Sequence, residues 1–136
     1  MLQIFDIELD AEPKDVTSEW LSEKIGDTVK IHGSWINSKS YEGVNNEFPW
    51  HNELRTGENR EPLEGTHSAI IWYNGEENCG GSLDVIKQDG SIENILFQVG
   101  KLIVFDIEFF HRVNHYSSVI PRVSLNMTIS YGKVES

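Results

Sequence analysis

From His67 onward the chain is a series of short apolar runs, each broken off by turn residues before it reaches helical length. His67 to Tyr73, Ser82 to Lys87, Ile92 to Phe97, Lys101 to Asp106, Phe109 to Asn114 and Arg122 to Tyr131 all read as strands. Asn74 to Gly81 ends in Gly-Gly, and Gln88 to Ser91 carries Asp-Gly, a pair that accepts the positive φ angles of tight hairpins. Closely spaced short strands with regular turn signals must bury their apolar faces against another sheet, which predicts an all-β sandwich or barrel.

Upstream the pattern is mixed. Leu2 to Leu9 alternates as a strand. Pro13 to Ile25 reads as a helix, with Asp15 or Thr17 as cap and Trp20, Leu21 and Ile25 as its apolar stripe. Thr28 to Ile36 is a second strand, with Val29, Ile31 and Gly33 assigned to one face, and Phe48 to Leu54 is a short aromatic one. Ser38 to Phe48 and Arg55 to Thr66 read as polar loops, and Ser38 to Glu47 and Arg55 to Thr66 are placed to act as lids or substrate contacts. The total is eight or nine strands and one early helix that would cover a face of the sheet.

With 136 residues and 38% apolar content, residues 1–136 are expected to form one globular domain. The net charge of -11 argues against nucleic acid or an anionic membrane as partner, since no basic face offsets phosphate repulsion. It leaves room for a bias towards cationic substrates. Cys79 is the only cysteine, so no intrachain disulfide can form. MLQIFDIELD lacks a basic, apolar leader pattern, and no run approaches the roughly 20 apolar residues of a membrane span. A soluble, cytoplasmic protein is the expectation.

The chemistry concentrates in three places. His51 and Glu53 are two residues apart in PWHNEL, which in a strand places both on one face. His111 ends the apolar stretch KLIVFDIEFFH. Two imidazoles and a carboxylate from distant strands can occupy one face of an octahedral metal and leave three positions open. Eleven residues after His111, Arg122 opens a strand whose Val123, Leu125, Met127 and Ile129 form one face, leaving Arg122 and Ser124 on the other. A guanidinium with a neighbouring hydroxyl suits a carboxylate, held by parallel charge-assisted hydrogen bonds. His32, His67, His115 and Asp106 have no such context and are read as structural or solvated; Trp35, Trp50, Phe109 and Phe110 are read as core or pocket wall.

These pieces occur in a familiar order. His51-Asn52-Glu53, the strand Ala69 to Asn74, Gly80-Gly81-Ser82-Leu83, the strand Val99 to Asp106, His111-Arg112-Val113 and Arg122-x-Ser124 together resemble the 2-oxoglutarate and iron(II)-dependent oxygenase superfamily, in particular its prolyl-4-hydroxylase-like branch. The resemblance covers about 80 residues within a barrel core spanning 48–131. It implies a mainly β fold, a double-stranded β-helix of the jelly-roll or cupin-like kind with one N-terminal supporting helix. It implies iron(II) on His51, Glu53 and His111, and 2-oxoglutarate on Arg122 and Ser124, with dioxygen as second co-substrate. Trp72 stands where the branch often has a tyrosine that contacts the co-substrate, and Glu53 where aspartate is commoner. The implied activity is hydroxylation of a C–H bond in a peptidyl proline or a small amino-acid-like substrate. The alternatives are a non-redox metal-binding cupin-like barrel and a catalytically inactive binding module. Substrate identity and oligomeric state stay open.

Overall fold

The computed structural model describes residues 1–40, 50–53 and 65–131. The strands are β1 (Leu2–Asp6), β2 (Val29–Lys39), β3 (His67–Asn74), β4 (Leu83–Ile86), β5 (Ile92–Ile95), β6 (Lys101–Asp106), β7 (His111–Val113) and β8 (Arg122–Tyr131), with one helix, α1 (Ser18–Ile25). They form two antiparallel sheets, a large one ordered β1-β6-β3-β8-β2 and a small one ordered β5-β4-β7. Neither closes on itself among the described residues. The mainly β expectation with one early helix therefore holds. The predicted loops at 38–48 and 55–66 lie largely outside the described residues, as do 48, 49 and 54 of the strand expected over 48–54.

Two apolar cores follow from the period-2 alternation of the central strands. Ala69, Ile71, Leu102, Val104, Leu125, Met127 and Ile129 point to the outer face of the large sheet and pack under Leu21 and Ile25 of α1. The intervening Ile70, Trp72, Ile103 and Phe105 point to the inner face and meet Leu83, Val85 and Ile95 of the small sheet, together with Phe97 and Phe109. The strands β3 and β6 are thus covered on both sides, which is why their sequences read as nearly continuous apolar runs, whereas β8 keeps polar residues on its inner face.

Three expected elements are shorter or broken. The strand predicted over Leu2 to Leu9 ends at Asp6; past it the Ile7 amide still donates to the Gly100 carbonyl at 2.9 Å. The helix predicted from Pro13 begins as a separate 3-10 turn over Pro13–Asp15, because Val16 and Thr17 are extended. Thr17 then caps α1, its side chain accepting from the Trp20 amide at 3.1 Å, and Gly26 closes the helix at φ 81°.

The third difference shapes the interior. A bulge interrupts the β2–β8 register between Ile31, opposite Ile129, and Gly33, opposite Thr128. The extra residue, His32, switches every following side chain to the other face. Val29 and Ile31 face the helix, but Gly33 lies beside the inner-face Thr128, so it does not share their face as predicted. Trp35, opposite Asn126, and Asn37, opposite Ser124, consequently turn inward.

Candidate metal centre

His51, Glu53 and His111 converge. Their ligand-type atoms all lie within 4.8 Å of one another, and no other group of three His, Cys, Asp or Glu side chains does so among the described residues. The backbone brings them together: His51 and His111 face each other across an isolated antiparallel bridge, each donating its amide to the other's carbonyl, at 3.0 and 2.8 Å. This bridge extends the small sheet beyond β7. Glu53, two residues on, returns to the same side, with Oε1 3.3 Å from His51 Nε2 and 3.2 Å from His111 Nε2. The imidazole centroids are 4.2 Å apart.

The electrostatics suit a cation. Burial pushes the Glu53 carboxyl up, but hydrogen bonds from His111 and His51 outweigh it and hold it at about 2, so the group is ionised at neutral pH. His111 is buried, its ring edge against Phe105. Its Nδ1 lies 3.3 Å from the Phe109 carbonyl. Without a metal, a proton on Nε2 serves the Glu53 carboxylate; when Nε2 gives that proton up to bind a cation, the Phe109 carbonyl, which only accepts, can take a hydrogen bond from the ring proton on Nδ1. His51 is the exposed member, with 44% of its side chain accessible. The cluster opens into a cavity of about 270 Å³ whose other walls are Trp35, Asn37, Ile70, Val113 and Asn126.

Arg122 and Ser124 sit further along the same inner face. Inner-face positions on β8 run Thr128, Asn126, Ser124, Arg122, with Ile70 opposite Asn126 and Trp72 opposite Ser124. Trp72, Ser124 and Arg122 do not line the cavity; they form the next layer beyond Asn126, whose amide donates to Ser124 Oγ at 3.0 Å. All three are at most 3% exposed. The Arg122 guanidinium donates from Nε to the Gly81 carbonyl at 2.9 Å and lies 5.4 and 5.1 Å from the ring centroids of Trp72 and Phe97. Burial lowers its pKa to about 10, so it remains a cation at neutral pH, and no carboxylate among the described residues pairs with it. The Trp72 indole N–H is buried with no hydrogen-bond partner among the described residues. A buried cation and a buried orphan donor side by side are costly in a closed protein and form a ready receptor for an anion.

The remaining histidines lie apart from the cluster. His32 bonds Ser130 Oγ at 2.6 Å, and His67 pairs with Asp106 at 3.2 Å. Gly81, Phe97, Asn37 and Asn126 went unread as site residues in the sequence. The Gly-Gly pair was legible as a turn, but its second job was not. At Gly81, with φ 75°, a Cβ would stand 3.0 Å from Arg122 Cδ and Nε, so only glycine admits the guanidinium there.

Solved structures share this arrangement of sheets. The chain superposes on a 2OG-Fe(II) oxygenase family protein from Burkholderia pseudomallei with a TM-score of 0.63 at 18% identity, over 83% of this chain and 49% of that one. The fold is the one seen in these oxygenases. A Pseudomonas putida prolyl-4-hydroxylase matches with a TM-score of 0.59 at 18% identity, over 97% of this chain and 72% of that one. EctD from S. alaskensis, solved with 2-oxoglutarate and 5-hydroxyectoine, matches with a TM-score of 0.56 at 21% identity, over 82% and 48%. The chain spans about half the length of the Burkholderia and S. alaskensis proteins. No protein-family model matches the sequence, and no curated protein matches it either. The resemblance first read from six short motifs therefore reappears at the level of the fold.

Proposed function

We propose that this oxygenase-like chain is a non-haem iron(II)- and 2-oxoglutarate-dependent dioxygenase built on a double-stranded β-helix, hydroxylating a C–H bond of a peptidyl proline or a small amino-acid-like substrate. One observation carries the reading: two imidazoles and an ionised carboxylate meet at one point, and a buried, carboxylate-free guanidinium lies in the adjoining layer of the same interior. Two nitrogens and one oxygen on one side of a metal are the donor set of iron(II) oxygenases, with three positions left for co-substrates.

His51, Glu53 and His111 would hold the iron. Glu53 is already ionised, and the Phe109 carbonyl beside His111 Nδ1 can accept a hydrogen bond from the ring proton once Nε2 binds the metal. Arg122, Ser124 and the orphan Trp72 N–H would hold the far carboxylate of the 2-oxo acid, an acceptor that meets both the unpaired charge and the unpaired donor. When bound, iron(II) with dioxygen and 2-oxoglutarate supplies the oxidising power for C–H hydroxylation, giving succinate and carbon dioxide alongside the alcohol. The chain's part is orientation and dryness. Ile70, Val113 and the Trp35 ring would keep water from the reacting carbon, and the Asn37 and Asn126 carboxamides would orient a polar group of the substrate.

Thermal unfolding with manganese(II), and then with an unreactive 2-oxoglutarate analogue added, tests this reading. Both ligands should raise stability, each by roughly 2.7 kcal/mol at 100 times its dissociation constant. Arg122→Ala should abolish the second shift and keep the first. A metal shift without an analogue shift would indicate a non-redox metal barrel, and no shift at all a binding module. Succinate release across proline-containing peptides and free amino acids would then identify the substrate.

A further inference from the structure

The segment carrying His51 and Glu53 joins the small sheet through a bridge of two backbone hydrogen bonds to His111, and Asn52 Nδ2 donates to the Glu108 carbonyl at 3.3 Å. Two main-chain bonds at a sheet edge do not fix a strand's rotation, yet ligand geometry demands that His51 and Glu53 both point inward. A contact on the outer face is placed to resist that rotation.

The outer face carries such a device. Because His51 is opposite His111 in an antiparallel bridge, Trp50 falls opposite Arg112. The Arg112 guanidinium lies 4.4 Å from the Trp50 ring centroid. Arg112 is in turn the cross-strand partner of Asp84, and Asp84 of Asn94. Arg112 Nε donates to Asp84 Oδ2 at 3.1 Å, and Asn94 Nδ2 donates to Asp84 Oδ1 at 2.7 Å. Asp84 is 7% exposed, so this is a seated anchor rather than a mobile surface pair. The row Asn94, Asp84, Arg112, Trp50 crosses the whole small sheet and ends one residue before the first metal ligand. Cross-strand pairs of this kind set register, and a guanidinium over an indole face attracts it while restricting its rotation.

We propose that Arg112 is a positioning residue of the metal centre: clamped by Asp84, it stacks on Trp50 and thereby sets the rotation of the strand that presents His51 and Glu53. This inference rests on the reading of His51, Glu53 and His111 as metal ligands. Arg112 itself touches neither metal nor substrate.

Cobalt(II) titration followed by visible absorption, on the full chain, tests it. Wild-type protein that binds no cobalt(II) overturns the metal-site reading and this inference with it. If wild type binds, Arg112→Ala and Trp50→Ala should each weaken cobalt(II) binding by about tenfold or more, as losses of supporting groups around metal ligands do. Trp50→Phe, which keeps a ring for the guanidinium, should retain most of the affinity. The double variant Arg112→Ala/Trp50→Ala should be no weaker than either single one, because both remove the same contact. Trp50→Ala leaves the Arg112–Asp84 pair in place, so it reports on the stack even if Arg112→Ala lowers folding yield. Metal-free unfolding separates positioning from bulk stability: a lowered Tm with cobalt(II) affinity within twofold of wild type in Trp50→Ala overturns the proposal, as does strict additivity in the double variant.

Discussion

Arg122 is the residue on which stability and chemistry pull in opposite directions. Its charge is buried, satisfied by one carbonyl and two aromatic faces, and burial has moved its pKa down to about 10. A basic group whose folded pKa lies below its unfolded value binds fewer protons when folded. Its contribution is therefore a destabilisation, fully present below about pH 10 and relieved as pH rises from there through the unfolded value. Replacing it by an apolar side chain of similar length removes a desolvated charge and forfeits a single hydrogen bond. Arg122→Met should thus unfold at a temperature no lower than wild type without ligand, while losing all stabilisation by the 2-oxoglutarate analogue. The same titration sets an upper pH limit: analogue affinity in wild type should fall as pH passes about 10, measurable by calorimetry. Glu53 shows the opposite arrangement, a carboxyl held at about 2 by His111 and His51 against burial. Glu53→Asp, one methylene shorter, withdraws the oxygen that lies near both imidazoles and should weaken cobalt(II) binding while leaving the metal-free Tm close to wild type.

At the level of elements, the large sheet works as a partition. Its outer face is buried by α1 and its inner face by the small sheet, so two apolar clusters with separate memberships share one set of strands. The separation makes a prediction. Leu21→Ala empties a fully buried site under α1 and should cost about 2–5 kcal/mol. The cobalt(II) affinity of the folded protein should be unchanged, since no ligand packs against that cluster; a parallel loss of affinity would mean the two faces are coupled. The bulge at His32 is the other element that matters. Thr17 as helix cap and Gly26 as helix stop are visible locally, because capping is a matter of neighbouring residues. The bulge is not, because a two-against-one pairing depends on which strand lies alongside. It is the bulge that turns Trp35, expected as core or pocket wall, and Asn37, beyond the strand expected over Thr28 to Ile36, into the cavity.

For the whole molecule, the charge of -11 acts at a distance where contacts do not. No helix among the described residues is long and apolar enough to cross a membrane. If the cavity serves a peptide, the protein's field should favour lysine- or arginine-bearing substrates over their glutamate-bearing counterparts in kcat/KM. That preference should shrink with added salt as the Debye length contracts from about 30 Å at 0.01 M to about 3 Å at 1 M. A preference independent of salt would place the discrimination in short-range contacts such as Asn37 and Asn126 instead.

Most of the strands were legible before any coordinates, since hydrophobic alternation and Gly-bearing turns are local properties: β6 and β8 begin and end where the pattern says. The grouping of His51, Glu53 and His111 was legible too, but through the order of its motifs rather than through any one of them. Which faces those strands would share was decided only by pairing. The bridge that sets His51 against His111, the glycine that lets a guanidinium lie against its carbonyl, and the outer row from Asn94 to Trp50 all join residues distant in the chain. Local chemistry favours a strand; it carries no information about its neighbour until the sheets have packed and the interior has chosen which side chains to enclose.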